Sequence, residues 1–254
     1  MDLIGDHIGA YRVTAAVPGG YAAIHRHTAK RARILVAPPG GTRAVIELVR
    51  TIEALPHPGI ARVVDRGVLA DHQPWFAFEV PSGLPLFDLI ARRPMPSAEV
   101  GSLVHDLADV LAFAHERGVT HRGLTARSVV MATGTRVFPI CVVDFGVADG
   151  PDDPSADVHA LGVIAYRAVT QLFPANTIDT VPGAEPALAE LIVRMLAREL
   201  TAAEVRGALM PALTDDQVHI SARFSAPKWT PAPPITSEAT TFVAGEIVEK
   251  TEKI

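Results

Sequence analysis

The sequence predicts an α+β protein, with a small strand-rich part followed by a larger helical part. Three observations carry this. Through roughly the first 80 residues, short β-prone stretches are closed by Pro/Gly turns such as Pro18-Gly19-Gly20 and Pro38-Pro39-Gly40-Gly41. From Ser97 onward, apolar residues recur at spacings of three and four. Between Ser225 and Thr241 the chain gathers Pro227, Pro231, Pro233 and Pro234 among Ser, Thr and Ala. Such a composition buries too little apolar surface to offset chain entropy, so the reading there is a flexible tail.

The elements follow in order. Tyr11–Val17 reads as a strand ended by the Pro18-Gly19-Gly20 turn, and Ala22–His27 as its hairpin partner. Arg33–Val36 is a third strand. Arg43–Leu55 has helical spacing, with Val45, Leu48, Val49 and Ile52 on one face. Two more strands lie around Ala61–Val64 and Pro74–Val80. Ser97 is placed to cap a helix with Glu99 in its first turn. Val100, Leu103, Val104, Leu107, Val110, Leu111 and Ala114 form its apolar face, and Gly118 supplies a left-handed stop. Val129–Met131 and Ile140–Val143 flank Thr133-Gly134 as a hairpin. Helices follow over Ser155–Leu172, Pro186–Arg198 and Thr201–Leu209.

Composition narrows the function. A net charge of −5 argues against a nucleic-acid partner. Only four of the 23 basic residues are lysines, which reads as GC-rich coding. A single cysteine, Cys141, excludes a disulfide framework, and its apolar flanks make it a small core residue. No apolar run approaches the ~18 residues of a membrane span, and the start lacks the pattern of a signal peptide. The expectation is a cytoplasmic protein without a membrane partner. The ten histidines show no ligand-like clustering; His25 and His27 read as solvated.

One run is dense with chemistry: His121-Arg122-Gly123-Leu124-Thr125-Ala126-Arg127-Ser128, with Asp144-Phe145-Gly146 beginning sixteen positions after Ser128. It resembles the protein-kinase catalytic loop H-R-D-L-x-x-x-N followed by D-F-G. Other stretches resemble bacterial Ser/Thr kinases of the eukaryotic-like type, in the family's order: Ile8–Val13 the opening strand, His57-Pro58-Gly59-Ile60 a loop motif, Phe78-Glu79-Val80 the hinge, and Ala114–Arg122 the approach to the catalytic loop. Asp157-Val158-His159-Ala160-Leu161-Gly162 is similar to the opening of the large central helix. The resemblance, over roughly residues 8–210, implies a bilobal protein-kinase-like fold with a β-rich N-lobe over 1–80 and a helical C-lobe over 81–212; the tail read from composition takes up 213–254.

Against that resemblance, the catalytic machinery is degenerate. Phosphoryl transfer is mostly positioning and charge neutralisation. The aspartate that orients the substrate hydroxyl is Gly123, and the asparagine that holds the second metal is Ser128. Thr125 stands where the family often has a lysine. The Gly-rich loop is short and contains Pro18, which has no N–H to offer a phosphate; Gly19 and Gly20 are its remaining candidates for nucleotide contact. The strand over 33–36 has no lysine; Lys30 precedes it, and Arg33 is the better substitute cation. The family's glutamate partner for that lysine would be Glu47 or a neighbour, and without the lysine it reads as a surface charge. Asp144 is the surviving candidate for Mg²⁺ and nucleotide contact, and Phe145 and His121 read as core. Gly146 and Asp157 stand only eleven positions apart, so the activation segment is shortened and lacks A-P-E. The late arginine turn that pairs with the A-P-E glutamate reads as absent too, Ala197–Glu204 running straight through. Joint loss fits a settled fold, because stranding one partner of a buried pair costs about 3–5 kcal/mol.

The resulting expectation is a pseudokinase: a protein-binding or regulatory module with no required cofactor and ATP with Mg²⁺ as an optional ligand. Its partner would be a protein, either an active Ser/Thr kinase or a phosphopeptide-reading domain. Thr240 and Thr241 are the candidate phosphoacceptors in the tail. The alternatives are an active atypical Ser/Thr kinase, with Asp149, Asp152 or Asp153 replacing the lost carboxylate, and an ATP-binding sensor without transfer.

Overall fold

The computed structural model describes residues 3–17, 19–133, 138–147, 150–175 and 178–209. The strand-rich part is an antiparallel sheet of six strands. They are β1 (His7–Ile8), β2 (Tyr11–Val17), β3 (Gly20–His25), β4 (Arg31–Val36), β5 (Val63–Val68) and β6 (Pro74–Glu79), in the order β1-β2-β3-β4-β6-β5. Helix α1 (Thr42–Glu53) connects β4 to β5 and buries Val45, Val49 and Ile52, as its spacing predicts. Ile8, Tyr11, Val13, Ala32, Ile34 and Trp75 pack one face of the sheet. The Trp75 indole lies against Gly9 and Gly67, where an added Cβ would fall 2.6 and 2.7 Å from its ring atoms. These glycines let the backbone close on the largest side chain of the lobe.

The second part begins with β7 (Gly83–Pro85) and α2 (Leu86–Ile90), both too short to leave a periodic signal in the sequence. Helix α3 (Ser97–His115) follows, then the hairpin β8 (Val129–Ala132) and β9 (Ile140–Val142), then α4 (Pro154–Thr170), α5 (Pro186–Leu196) and α6 (Ala202–Leu209). Leu103, Leu107 and Leu111 of α3 are fully buried, as are Leu161 and Ile192 of α4 and α5. Burying a leucine or isoleucine stabilises by about 1.5–3 kcal/mol each, so this helical core is a rigid platform for the hairpin.

Two elements depart from the sequence reading. The strand expected near Ala61–Val64 runs instead from Val63 to Val68. Opposite Ile60, the Ala61 N–H donates to the Val142 carbonyl and the Val142 N–H donates to the Gly59 carbonyl, joining the two parts. Ser97 does not cap α3: Pro96 holds that position, and the Ser97 hydroxyl accepts from the Glu185 N–H at 3.0 Å. Among the described residues no helix is long and apolar enough to cross a membrane. Pro18 and the tail with Thr240 and Thr241 lie outside the described residues.

Candidate functional site: a kinase-like crevice

The catalytic-loop run is anchored by Asp157, the first-turn acid of α4. The residue is only 2% exposed. Its carboxylate accepts from the peptide N–H of His121 at 2.7 Å, the N–H of Arg122 at 3.2 Å, and His115 Nε2 at 3.0 Å. Arg122 is thereby held at φ 68°, a left-handed conformation costly for a residue with a side chain. His121 is buried, and its Nε2 donates to the Val143 carbonyl at 3.0 Å while Nδ1 accepts from the Gly123 N–H. Burial pushes its pKa below the ordinary histidine value, which keeps the ring neutral. The ring packs on Phe145 at 4.8 Å, and Phe145 is buried, both as expected of the D-F-G region. Asp157 was visible in the sequence as a helix opener; its role as anchor was not.

At the position of the substrate-orienting aspartate, Gly123 is exposed and offers no side chain. Ser128 is turned inward. Its hydroxyl donates to the Thr125 carbonyl at 2.9 Å and accepts from the Thr125 N–H at 3.0 Å, so it closes a turn.

Asp144, also left-handed at φ 64°, meets Arg33 of β4, with Nε 3.2 Å from Oδ1. The Arg33 and Asp144 side chains are 15% and 27% exposed. Burial raises the Asp144 carboxyl above the usual carboxylate range, against the opposing pull of Arg33 and His121. Burial likewise lowers the Arg33 guanidinium, with Asp144 acting to raise it. Lys30 is exposed ahead of β4, and Glu47 is a surface charge paired with Arg43 at 3.0 Å, four residues back on α1.

Above this pair, β2 and β3 close through a two-residue turn, with Val17 paired directly to Gly20. Gly19, at φ 75°, is seated on Val147: an added Cβ would stand 2.6 Å from Val147 Cγ1. A Cβ on Gly20 would fall on the Ile34 carbonyl of the adjacent strand. The cavity left among Arg33, Leu35, Phe78, Asp144 and Phe145 measures about 10 Å³. That is at or below what one water requires. No group of three metal-ligating side chains occurs among the described residues. The side chains present at this crevice do not fit a metal–nucleotide complex.

The short connection from Val147 to α4 is stapled to the catalytic loop. Asp152 accepts from Thr120 Oγ1 at 2.6 Å and from Arg122 Nη2 at 3.0 Å. The Thr120 hydrogen bond first, then Arg122, hold its carboxyl below the usual range. Gly150 lies so close to the Arg122 carbonyl that a Cβ would overlap it. Asp153 caps α4, accepting from the Ser155 N–H at 2.9 Å, and also pairs with Arg198 at 3.4 Å. This last contact corrects the sequence reading. Residues 197–204 do not run straight through: α5 stops at Leu196, Arg198 is left-handed at φ 59°, and Thr201 and Glu204 form a capping box for α6. An acid before α4 thus still meets an arginine after α5. The pair is half-exposed rather than buried, so the short connection keeps a tether without A-P-E.

The sequence is similar to bacterial kinases. It is 32% identical over 116 residues, 45% of the chain, to the serine/threonine-protein kinase pkn2 of Myxococcus xanthus. It is 33% identical over 130 residues, 48% of the chain, to PknF of Mycobacterium tuberculosis. Over 231 residues, 70% of the chain, it is 26% identical to Pkn1 of Myxococcus xanthus. These matches cover 14%, 27% and 33% of the relatives, so the chain spans at most about a third of their length. No protein-family model matches the chain. Curled antiparallel sheet, helical platform, anchored H-R-x loop and D-F-G hairpin occur together with these relatives, and the chain is similar to bacterial Ser/Thr protein kinases in both sequence and fold.

Proposed function

We propose that this chain is a pseudokinase, a kinase-fold module of the cytoplasm that binds a protein partner and transfers no phosphate. The observation that carries the reading is the catalytic loop: Gly123 has no carboxylate, and the Ser128 hydroxyl is used up within its own turn. A positioned general base contributes about 10²–10⁴-fold to a reaction, and the metal-holding residue is lost with it. Asp152 and Asp153 are committed to Thr120, Arg122, Ser155 and Arg198, which argues against either as a replacement base. Asp149 lies outside the described residues. The connection to α4 leaves little chain on which a substrate peptide could lie. The partner we propose is an active Ser/Thr kinase or a phosphopeptide-reading domain, recruited through phosphorylation of Thr240 or Thr241.

The test is incubation of the purified chain with radiolabelled ATP, with Mg²⁺ or Mn²⁺ and generic protein substrates. No transfer is expected. Label that appears on the chain or substrate, and disappears in Asp144→Asn, would overturn the reading.

A further inference from the structure

A kinase fold holds its metal–nucleotide complex in the crevice between its lobes, yet here the crevice is bridged by the chain itself. We propose that the Arg33–Asp144 pair, with the Gly19 turn seated on Val147, is a built-in substitute for the metal–nucleotide complex, holding the two lobes together without any ligand. The inference extends the reading above, that the chain transfers no phosphate, but fails separately from it.

Charge, space and cover all point the same way. The carboxylate of the D-F-G segment needs a compensating cation, and Arg33 provides one at 3.2 Å from the opposite lobe. Arginine suits such a bridge because it stays charged, hydrates weakly and offers several donors in a rigid fork. The remaining cavity of about 10 Å³ compares with several hundred Å³ for a small-molecule site. The cover is chain as well: the two-residue β2–β3 turn brings Gly19 onto Val147, three residues past Asp144. On the far side of the segment, Gly146 packs against Leu48 of α1, where a Cβ would stand 2.7 Å from Cδ1. Strand, hairpin turn and helix of the first lobe therefore all grip one short segment of the second. In consequence, the surface shown to a partner does not depend on nucleotide.

The full chain is tested in two arms. In the first, melting temperature is followed while Mg²⁺-ATP and Mg²⁺-ADP are titrated into the millimolar range. The expected result is no saturable shift; a saturable rise overturns the proposal, since any ligand of the folded state alone must raise stability with concentration. In the second, urea midpoints are measured for Arg33→Met, Asp144→Asn and the double variant. Arg33→Met strands a buried carboxylate and should lower the midpoint, and adding Asp144→Asn should recover part of the loss. Additive or silent effects overturn the bridge. If Arg33→Met fails to fold, Asp144→Asn and the wild-type titration still decide. The phosphotransfer assay separates the two readings: binding without transfer overturns the bridge alone, whereas transfer overturns both.

Discussion

Replacing Asp157 by alanine removes the acceptor that holds the catalytic loop, and its cost follows from three contacts. The carboxylate is buried and receives two peptide N–H groups and one histidine ring. A hydrogen bond to a charged group contributes about 1.5–3 kcal/mol. The three do not simply add, because the His115 ring lies nearer the surface and can turn to water. The two peptide N–H groups cannot move without releasing Arg122 from its left-handed backbone. The expected loss is therefore about 3–5 kcal/mol, the range for stranding groups inside a broken buried network. For a domain of this size, with about 2–4 °C per kcal/mol, the melting temperature should fall by roughly 6–20 °C. Asp157→Asn keeps one acceptor oxygen but turns its amide donors toward other donors, so about half the loss is expected. Urea unfolding followed by circular dichroism measures both. An Asp157→Ala variant within about 1 kcal/mol of the parent would refute the anchoring role, because the loop would then be held by packing alone.

Other consequences are equally open to measurement. Asp109 accepts from Arg206 at 2.8 Å and His57 at 3.2 Å. Burial acts to raise its carboxyl, but these hydrogen bonds together outweigh it and hold the group below its ordinary value. A depressed carboxyl contributes stability above the unfolded value near about 3.9, lost as pH falls through the lower folded value. Urea midpoints from pH 7 to 3 should show an acid-side loss that shrinks in Arg206→Ala; an unchanged acid limb would count against the network. Gly150→Ala forces a Cβ onto the Arg122 carbonyl and should cost about 1–3 kcal/mol in thermal unfolding. Gly123→Asp and Ser128→Asn, alone or together, should yield no turnover in a phosphotransfer assay. They restore parts of a unit that acts jointly, while Asp144 stays bound to Arg33. Turnover near the roughly 1–100 s⁻¹ of ordinary kinases would contradict this.

The sequence by itself determined what is local. The strand at Tyr11–Val17, the helix over α1 and the β8–β9 hairpin were legible because turn residues and apolar spacing act within a few positions. The missing aspartate and asparagine were equally legible, since the loop is contiguous and each absent side chain is a single letter. Tertiary structure decided which groups replaced the lost ones. Alternation along β4 puts Ala32 and Ile34 in the sheet core and leaves Arg33 and Leu35 on the other face. Nothing in the alternation says what that face meets, and Asp144 is over a hundred positions away. The Asp153–Arg198 tether escaped the sequence reading for the same reason: a lone aspartate and a lone arginine in turns carry no periodic signal. Such pairs depend on where the rigid helices and the sheet set their ends down, and that placement comes from burying the leucines, isoleucines and aromatics of two cores.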